Sequence, residues 1–267
     1  MKMGIAINNA KIKNTGIFLA ICLLIPFASI SWADDVAVSN TIKGKADSAP
    51  KFIYLTFDDG PLKGSNDVSE AVELEKIKIN VFVVGSHLKA GPRMRGYFEL
   101  YTKNPYIEIG NHSYSHAHDS YSLFYSKPEL AYDDFLYNAD ILKLKNKLAR
   151  LPGRNMWRLK NRSIDDVKSG SKTADLLYSK GYTVFGWDLE WRHDRITAVP
   201  VQTVEDMVYL IDTMFAKKKT VTENHIVILC HDEMFMTSWE ESKLKELIEK
   251  LIASGNFRFE HLSNYPQ

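Results

Sequence analysis

Two aspartates stand side by side at Asp58 and Asp59, directly after the apolar run 52–57 and directly before Gly60 and Pro61. Adjacent carboxylates repel one another and lose hydration, and a fold tolerates that where a cation or a proton-transfer task compensates. Neighbouring residues leaving a strand point in different directions, so one carboxylate can bind a metal ion while the other serves as a general base. Residues 108–118, EIGNHSYSHAH, place His112 and His116 four apart. That spacing predicts two imidazoles on one side of a helical turn. With Asp59 they make a two-histidine, one-carboxylate set that leaves a coordination position open, as catalytic zinc sites do. Taken singly, the aspartate pair also fits a turn or helix cap, and the histidines a solvated loop.

Such residues need a scaffold that brings them together. Strands are expected at 52–57, 80–84, 106–109, 148–151, 182–186, 225–230 and 257–261. Helical periodicity fills the gaps at 67–77, 128–147, 173–180, 204–215 and 239–253. Strands spaced by helices imply parallel βα units with right-handed crossovers, and about seven of them suggest a barrel rather than an open sheet. In a barrel, reactive residues sit at the carboxyl ends of the strands. Asp58 and Asp59, His112 and His116, Arg150 and Gly153, Asp188 and Glu190, and His231 with Asp232 all fall at such ends.

Composition narrows the setting. The chain has 267 residues, 45% of them hydrophobic and 25% charged, as in an ordinary globular protein. Lys2, Lys11 and Lys13 precede the uninterrupted apolar run 17–25, and Ser31 and Ala33 bracket Trp32 in a small-residue cleavage pattern. Residues 1–33 are expected to be a cleaved signal peptide, 34–51 a flexible segment and 52–267 the functional domain. The expected destination is the periplasm or the exterior of a bacterial cell, with no stable membrane insertion after cleavage. Removing residues 1–33 takes away three lysines and no acid, turning a formal charge of +1 into −2. Nucleic acid is therefore not an expected partner. Cys230 alone remains outside the signal segment, so no internal disulfide is available and the core must hold the domain. Alternation along the strand sends Cys230 away from His231, against a thiol mechanism. A monomer is the default oligomeric expectation.

The stretches TFDDGP, GNHSYSH, RLPGR, GWDLEW and IVILCHD occur in the order and approximate spacing of the five motifs of the polysaccharide deacetylases, and the chain resembles that family over 52–267. The family is the NodB-homology domain, or carbohydrate esterase family 4. The resemblance implies an α/β fold, a distorted (β/α)7-8 barrel, and metal-dependent removal of acetyl groups from sugars. It implies Asp58 as general base, Asp59, His112 and His116 as ligands of one divalent metal ion, and His231 as general acid. Zinc suits that donor set best, and cobalt, nickel or manganese can occupy it. Arg150 resembles the arginine that holds the base, the Gly153 N–H the oxyanion donor, and Trp191 and Leu229 the apolar pocket for the acetyl methyl. Position 153 is tyrosine in the usual motif, so its replacement by glycine alters the wall of the sugar site. The fourth motif departs further: two aspartates before the tryptophan are usual, whereas this chain reads Trp187-Asp188-Leu189-Glu190-Trp191. Either Asp188 or Glu190 fits as the carboxylate that tunes His231, with Glu190 favoured because it immediately precedes Trp191.

The expected activity is N-deacetylation of N-acetylhexosamine in an acetylated polysaccharide or oligosaccharide such as peptidoglycan, a chitin-like oligomer or poly-N-acetylglucosamine. An O-acetyl esterase, on xylan for example, would use the same residues. A silent carbohydrate-binding module is the reading from another class, and it leaves the full set of base, metal triad and acid without a purpose.

Overall fold

The computed structural model describes residues 49–236 and 241–267. The expected signal peptide, most of the expected flexible segment and the start of the expected helix at 239–253 lie outside them. The central strand β1 (Lys51–Gly60) is flanked by β2 (Ile79–Val83) on one side and β9 (His225–His231) on the other, parallel to both. Outward from β2 come β3 (Ile107–Asn111), β4 (Leu148–Ala149) and β7 (Thr183–Val184), while β8 (Leu189–Glu190) lies beyond β9. A short β10 (Phe257–Phe259) pairs with the start of β1. Only residues 185–188 separate β7 from β8, and four residues reach at most roughly 14 Å. The two ends of the parallel run are thereby drawn toward each other, and the sheet curls into a distorted barrel with no ladder between β7 and β8.

The alternation of strand side chains divides the molecule. On β1, Ile53, Leu55 and Phe57 face outward into a large apolar layer shared with Ile226, Ile228 and Cys230 of β9. That layer is covered by α1 (Ser65–Glu75), α6 (Val204–Ala216) and α7 (Lys243–Ala253). The intervening residues face inward: Tyr54, Phe82, Trp157, Phe185, Val227 and Tyr265 fill the barrel interior. A third cluster packs α4 (Pro128–Leu142) and α5 (Ser171–Ser179) around Ala149 and Val184. Thr203 and Asp206 form a reciprocal capping box that starts α6, and the Ser242 hydroxyl caps α7.

Several elements depart from the sequence expectation. β5 (Trp157–Leu159) pairs antiparallel with both β6 (Arg162–Ile164) and β7, so the sheet is mixed rather than purely parallel. β6 is exposed throughout, which removes the apolar pattern that would announce it. The helix α2 (Pro92–Lys103) buries only Tyr101 fully and carries Gly96, so its apolar stripe is weak. The short α3 (Tyr121–Tyr125) was also unannounced. α4 stops at Leu142 rather than 147, where Lys143 takes the left-handed conformation.

Candidate active site

Asp58 is the last inward residue of β1 and stands in register with His231 at the end of β9. Its side chain is almost fully buried, and Arg150, wholly buried beyond β4, holds it: Arg150 Nη1 donates to Asp58 Oδ1 at 2.9 Å. The same guanidinium donates to Thr56 Oγ1 and to the carbonyls of Phe185 and Gly186, and lies 4.4 Å from the Phe82 ring centre. With one carboxylate, one hydroxyl and two carbonyls around it, the buried charge is paired and its fork is filled, as burial requires.

Regular alternation would send Asp59 to the opposite face. Instead Asp59 has φ of 69°, and the β1–β2 ladder shifts between Phe57 and Gly60. This bulge turns the second carboxylate back into the same site. Asp59 Oδ1 lies 3.3 Å from His112 Nε2 and 3.1 Å from His116 Nε2. The two imidazoles do not sit on a helical turn as the spacing predicted. His112 follows β3 directly, and positive φ at Ser113 and from His116 to Asp119 folds a tight loop that returns His116 beside it. His112 Nδ1 is 2.9 Å from the Arg150 carbonyl and His116 Nδ1 is 3.1 Å from Asp119 Oδ1, which leaves both Nε2 atoms on Asp59. Burial raises the Asp59 carboxyl, but the two imidazoles prevail and hold it well below the usual carboxylate range. Burial likewise draws His116 down, and Asp59 and Asp119 overcome it, taking the ring to about 9.

One candidate ligand atom from each of Asp59, His112 and His116 lies within 4.8 Å of the others. An oxygen and two nitrogens, with both imidazoles oriented from behind by acceptors, fit a divalent cation of intermediate softness. Zinc meets that description.

These groups border a cavity of about 1020 Å³ that also touches Gly153, Trp187, Glu190, Leu229 and His231. Trp191 is not on its wall: it is fully buried, packs against Phe235, and donates through Nε1 to the Gln202 carbonyl. Trp187 occupies the wall instead. Phe235 is likewise buried, against Phe57 and Trp191. Asp188 points into the barrel, where Oδ1 and Oδ2 accept the amides of Val221 and Val227. Burial nevertheless raises its pKa to about 6. Glu190 reaches the cavity, yet no hydrogen bond joins it to His231 among the described residues. Cys230 faces the outer layer, and burial pushes its thiol pKa up.

Sequence reasoning missed three contributors. Tyr121 lies against Gly153, where an added Cβ would meet its ring at 2.9 Å, and Gly153 has φ of 63°. The aromatic ring absent from position 153 is thus supplied from α3, and only glycine fits beneath it. His193 and Glu233 stand beside His231, joined to each other at 2.7 Å. Nothing local in the sequence pairs 121 with 153, or 193 with 233.

A curled α/β sheet with an aspartate-histidine constellation over the carboxyl ends of its strands defines a NodB-like deacetylase fold. Residues 45–159 match the profile described as "Polysaccharide deacetylase". Chitin disaccharide deacetylase of Vibrio alginolyticus is 25% identical over 203 residues, 52% of this chain and 47% of that protein. The chain therefore spans about half the length of that curated relative. The fold is shared with the catalytic domain of peptidoglycan N-acetylglucosamine deacetylase from Eubacterium rectale, at a TM-score of 0.60 and 21% identity over 82% of this chain and 91% of that one. A CE4 esterase of Streptococcus mutans gives 0.59 and 20%, over 79% and 86%. The polysaccharide deacetylase Bc1974 of Bacillus cereus gives 0.55 and 20%, over 81% and 94%.

Proposed function

We propose that this protein is an exported, metal-dependent hydrolase that removes N-acetyl groups from N-acetylhexosamine residues of a polysaccharide. The observation carrying this reading is the carboxylate pair. Asp58 is clamped by Arg150 and stands in register with His231, while Asp59 is turned aside onto His112 and His116.

A divalent cation held by Asp59, His112 and His116 would polarise the acetyl oxygen and make water acidic enough to attack at neutral pH. Arg150 occupies Asp58 Oδ1, so Oδ2 is the atom that takes the proton from the attacking water. The developing oxyanion is met by the Gly153 N–H. An amide anion is too basic to leave, and His231 delivers a proton to the departing nitrogen. Leu229 and Trp187 wall the space for the acetyl methyl.

The test is acetate release by the purified protein, with chelator and with added zinc, from N-acetylglucosamine oligomers and from acetylated xylan. Cation-dependent acetate from the amino sugar is the expected result. Release from xylan alone would move the assignment to an O-esterase, and release from neither would overturn it. The signal segment is checked by the amino-terminal residue of the exported protein, expected at Asp34.

A further inference from the structure

At the end of β9, on the wall of the same cavity, two imidazoles meet. The rings of His193 and His231 lie edge to face with centres 4.8 Å apart. His193 Nε2 is 2.7 Å from Glu233 Oε1. The Nδ1 atoms of both rings are buried and without a hydrogen-bond partner among the described residues. Buried nitrogens are seldom left unpaired; the two Nδ1 atoms are not in hydrogen-bonding geometry here, and a turn of the touching rings would bring them together.

The tautomers follow from the carboxylate. An ionised Glu233 only accepts, so His193 Nε2 carries the proton and a neutral His193 presents a bare Nδ1 as an acceptor. Among the described residues no carboxylate forms a hydrogen bond with His231. Asp58 on β1 is engaged by Arg150, Asp188 is engaged by two backbone amides, and Glu190 on β8 forms no hydrogen bond with it. The turn after β9 contributes Glu233, which faces His231 through His193.

We propose that Glu233 and His193 form a positioning relay for His231: Glu233 fixes His193, and a turn of the touching rings closes His193 Nδ1 onto the Nδ1–H of His231, so aiming His231 Nε2 into the cavity. The relay takes over the task expected of a carboxylate in the fourth motif, and it rests on the reading that His231 is the proton donor. No net proton crosses it. His231 gives its Nε2 proton to the departing nitrogen, keeps Nδ1–H on His193, and is reprotonated at Nε2 from solvent.

Long-range proton–nitrogen NMR of the histidine rings in the full chain tests this without any substrate. His231 is assigned by its loss in His231→Gln, and compared between wild type, Glu233→Gln and His193→Gln. Glu233 is partly exposed, so Glu233→Gln is a mild change for the fold. Wild-type His231 is expected to be an Nδ1–H tautomer when neutral, and to lose that preference in either variant. An unchanged tautomer in both variants would overturn the relay. If acetate is released, kcat should fall roughly tenfold or more in each variant. KM and bound metal should stay unchanged, the basic limb of the pH profile should move down, and the double variant should be no worse than His193→Gln. Absence of acetate release from the wild type, with the NMR differences intact, would overturn the deacetylase reading and leave the relay standing.

Discussion

The two rims of the cavity are built differently. On the Asp59 rim, each histidine is oriented by an acceptor close at hand, His116 by Asp119 three residues on and His112 by the carbonyl of Arg150. Arg150 in turn fixes Asp58, so one buried residue organises both, the carboxylate through its guanidinium and the ring through its backbone carbonyl. On the His231 rim, the neighbours are His193 and Glu233, which arrive on the connections after β8 and β9. A rim tied to the strands holds its groups in place through the core. A rim assembled from connections can be retuned without disturbing the barrel, and it is there that this chain departs from the fourth motif of the family it resembles.

The comparison can be broken most severely at the strand-tied rim. His116→Ala should lose the bound cation and lower acetate release by roughly 10³-fold or more, whereas Asp58→Asn should lose turnover and keep the cation. Metal analysis beside kinetics separates the two, and an active His116→Ala would sink the ligand assignment. Arg150→Met should come next, because it leaves Asp58 buried without its partner. A loss of about 3–5 kcal/mol in denaturant unfolding is expected. A stability change within error would mean that Asp58 does not depend on that guanidinium.

Two smaller tests sharpen the contrast. Asp188 belongs to the interior rather than to the His231 rim, and burial raises its pKa from 3.8 to about 6. A carboxyl with a raised folded pKa binds its proton more tightly when folded. Its contribution to stability is therefore fully present below pH 3.8 and is lost as the pH rises through about 6. Asp188→Asn should flatten the pH dependence of melting temperature between those values; an unchanged slope would exclude Asp188 as its source. Smallest in activity is Trp191→Phe, which should leave KM unaltered while Trp187→Ala raises it. A raised KM for Trp191→Phe would return that ring to the substrate pocket.

Much of this was legible along the chain because β1 and β9 are largely apolar runs that end in ionisable residues. Asp58, Asp59, His112, His116, Arg150, Gly153, Glu190, Leu229 and His231 meet in or beside one cavity because each leaves a strand at the same end of the barrel. What was not legible depended on backbone sign and on distant pairs. The left-handed residues around His116 replace the helical turn that its spacing suggested, and no local pattern encodes them. Trp191 falls in the core although Trp187, four residues earlier, reaches the cavity. The direction of each ring is set by how β8 joins β9, which periodicity does not reveal. Tyr121 standing over Gly153 is a contact between residues 32 positions apart, and only the folded chain pairs them.

Cys230 carries one more use. It is the sole cysteine among the described residues, sealed beneath the outer helices on a strand that pairs along nearly its whole length with β1. A thiol reagent can reach it only while that seam is open. The rate of its modification is therefore an internal clock for the breathing of the barrel, and slowing of that clock on adding zinc would register the cation's grip from the far side of the sheet.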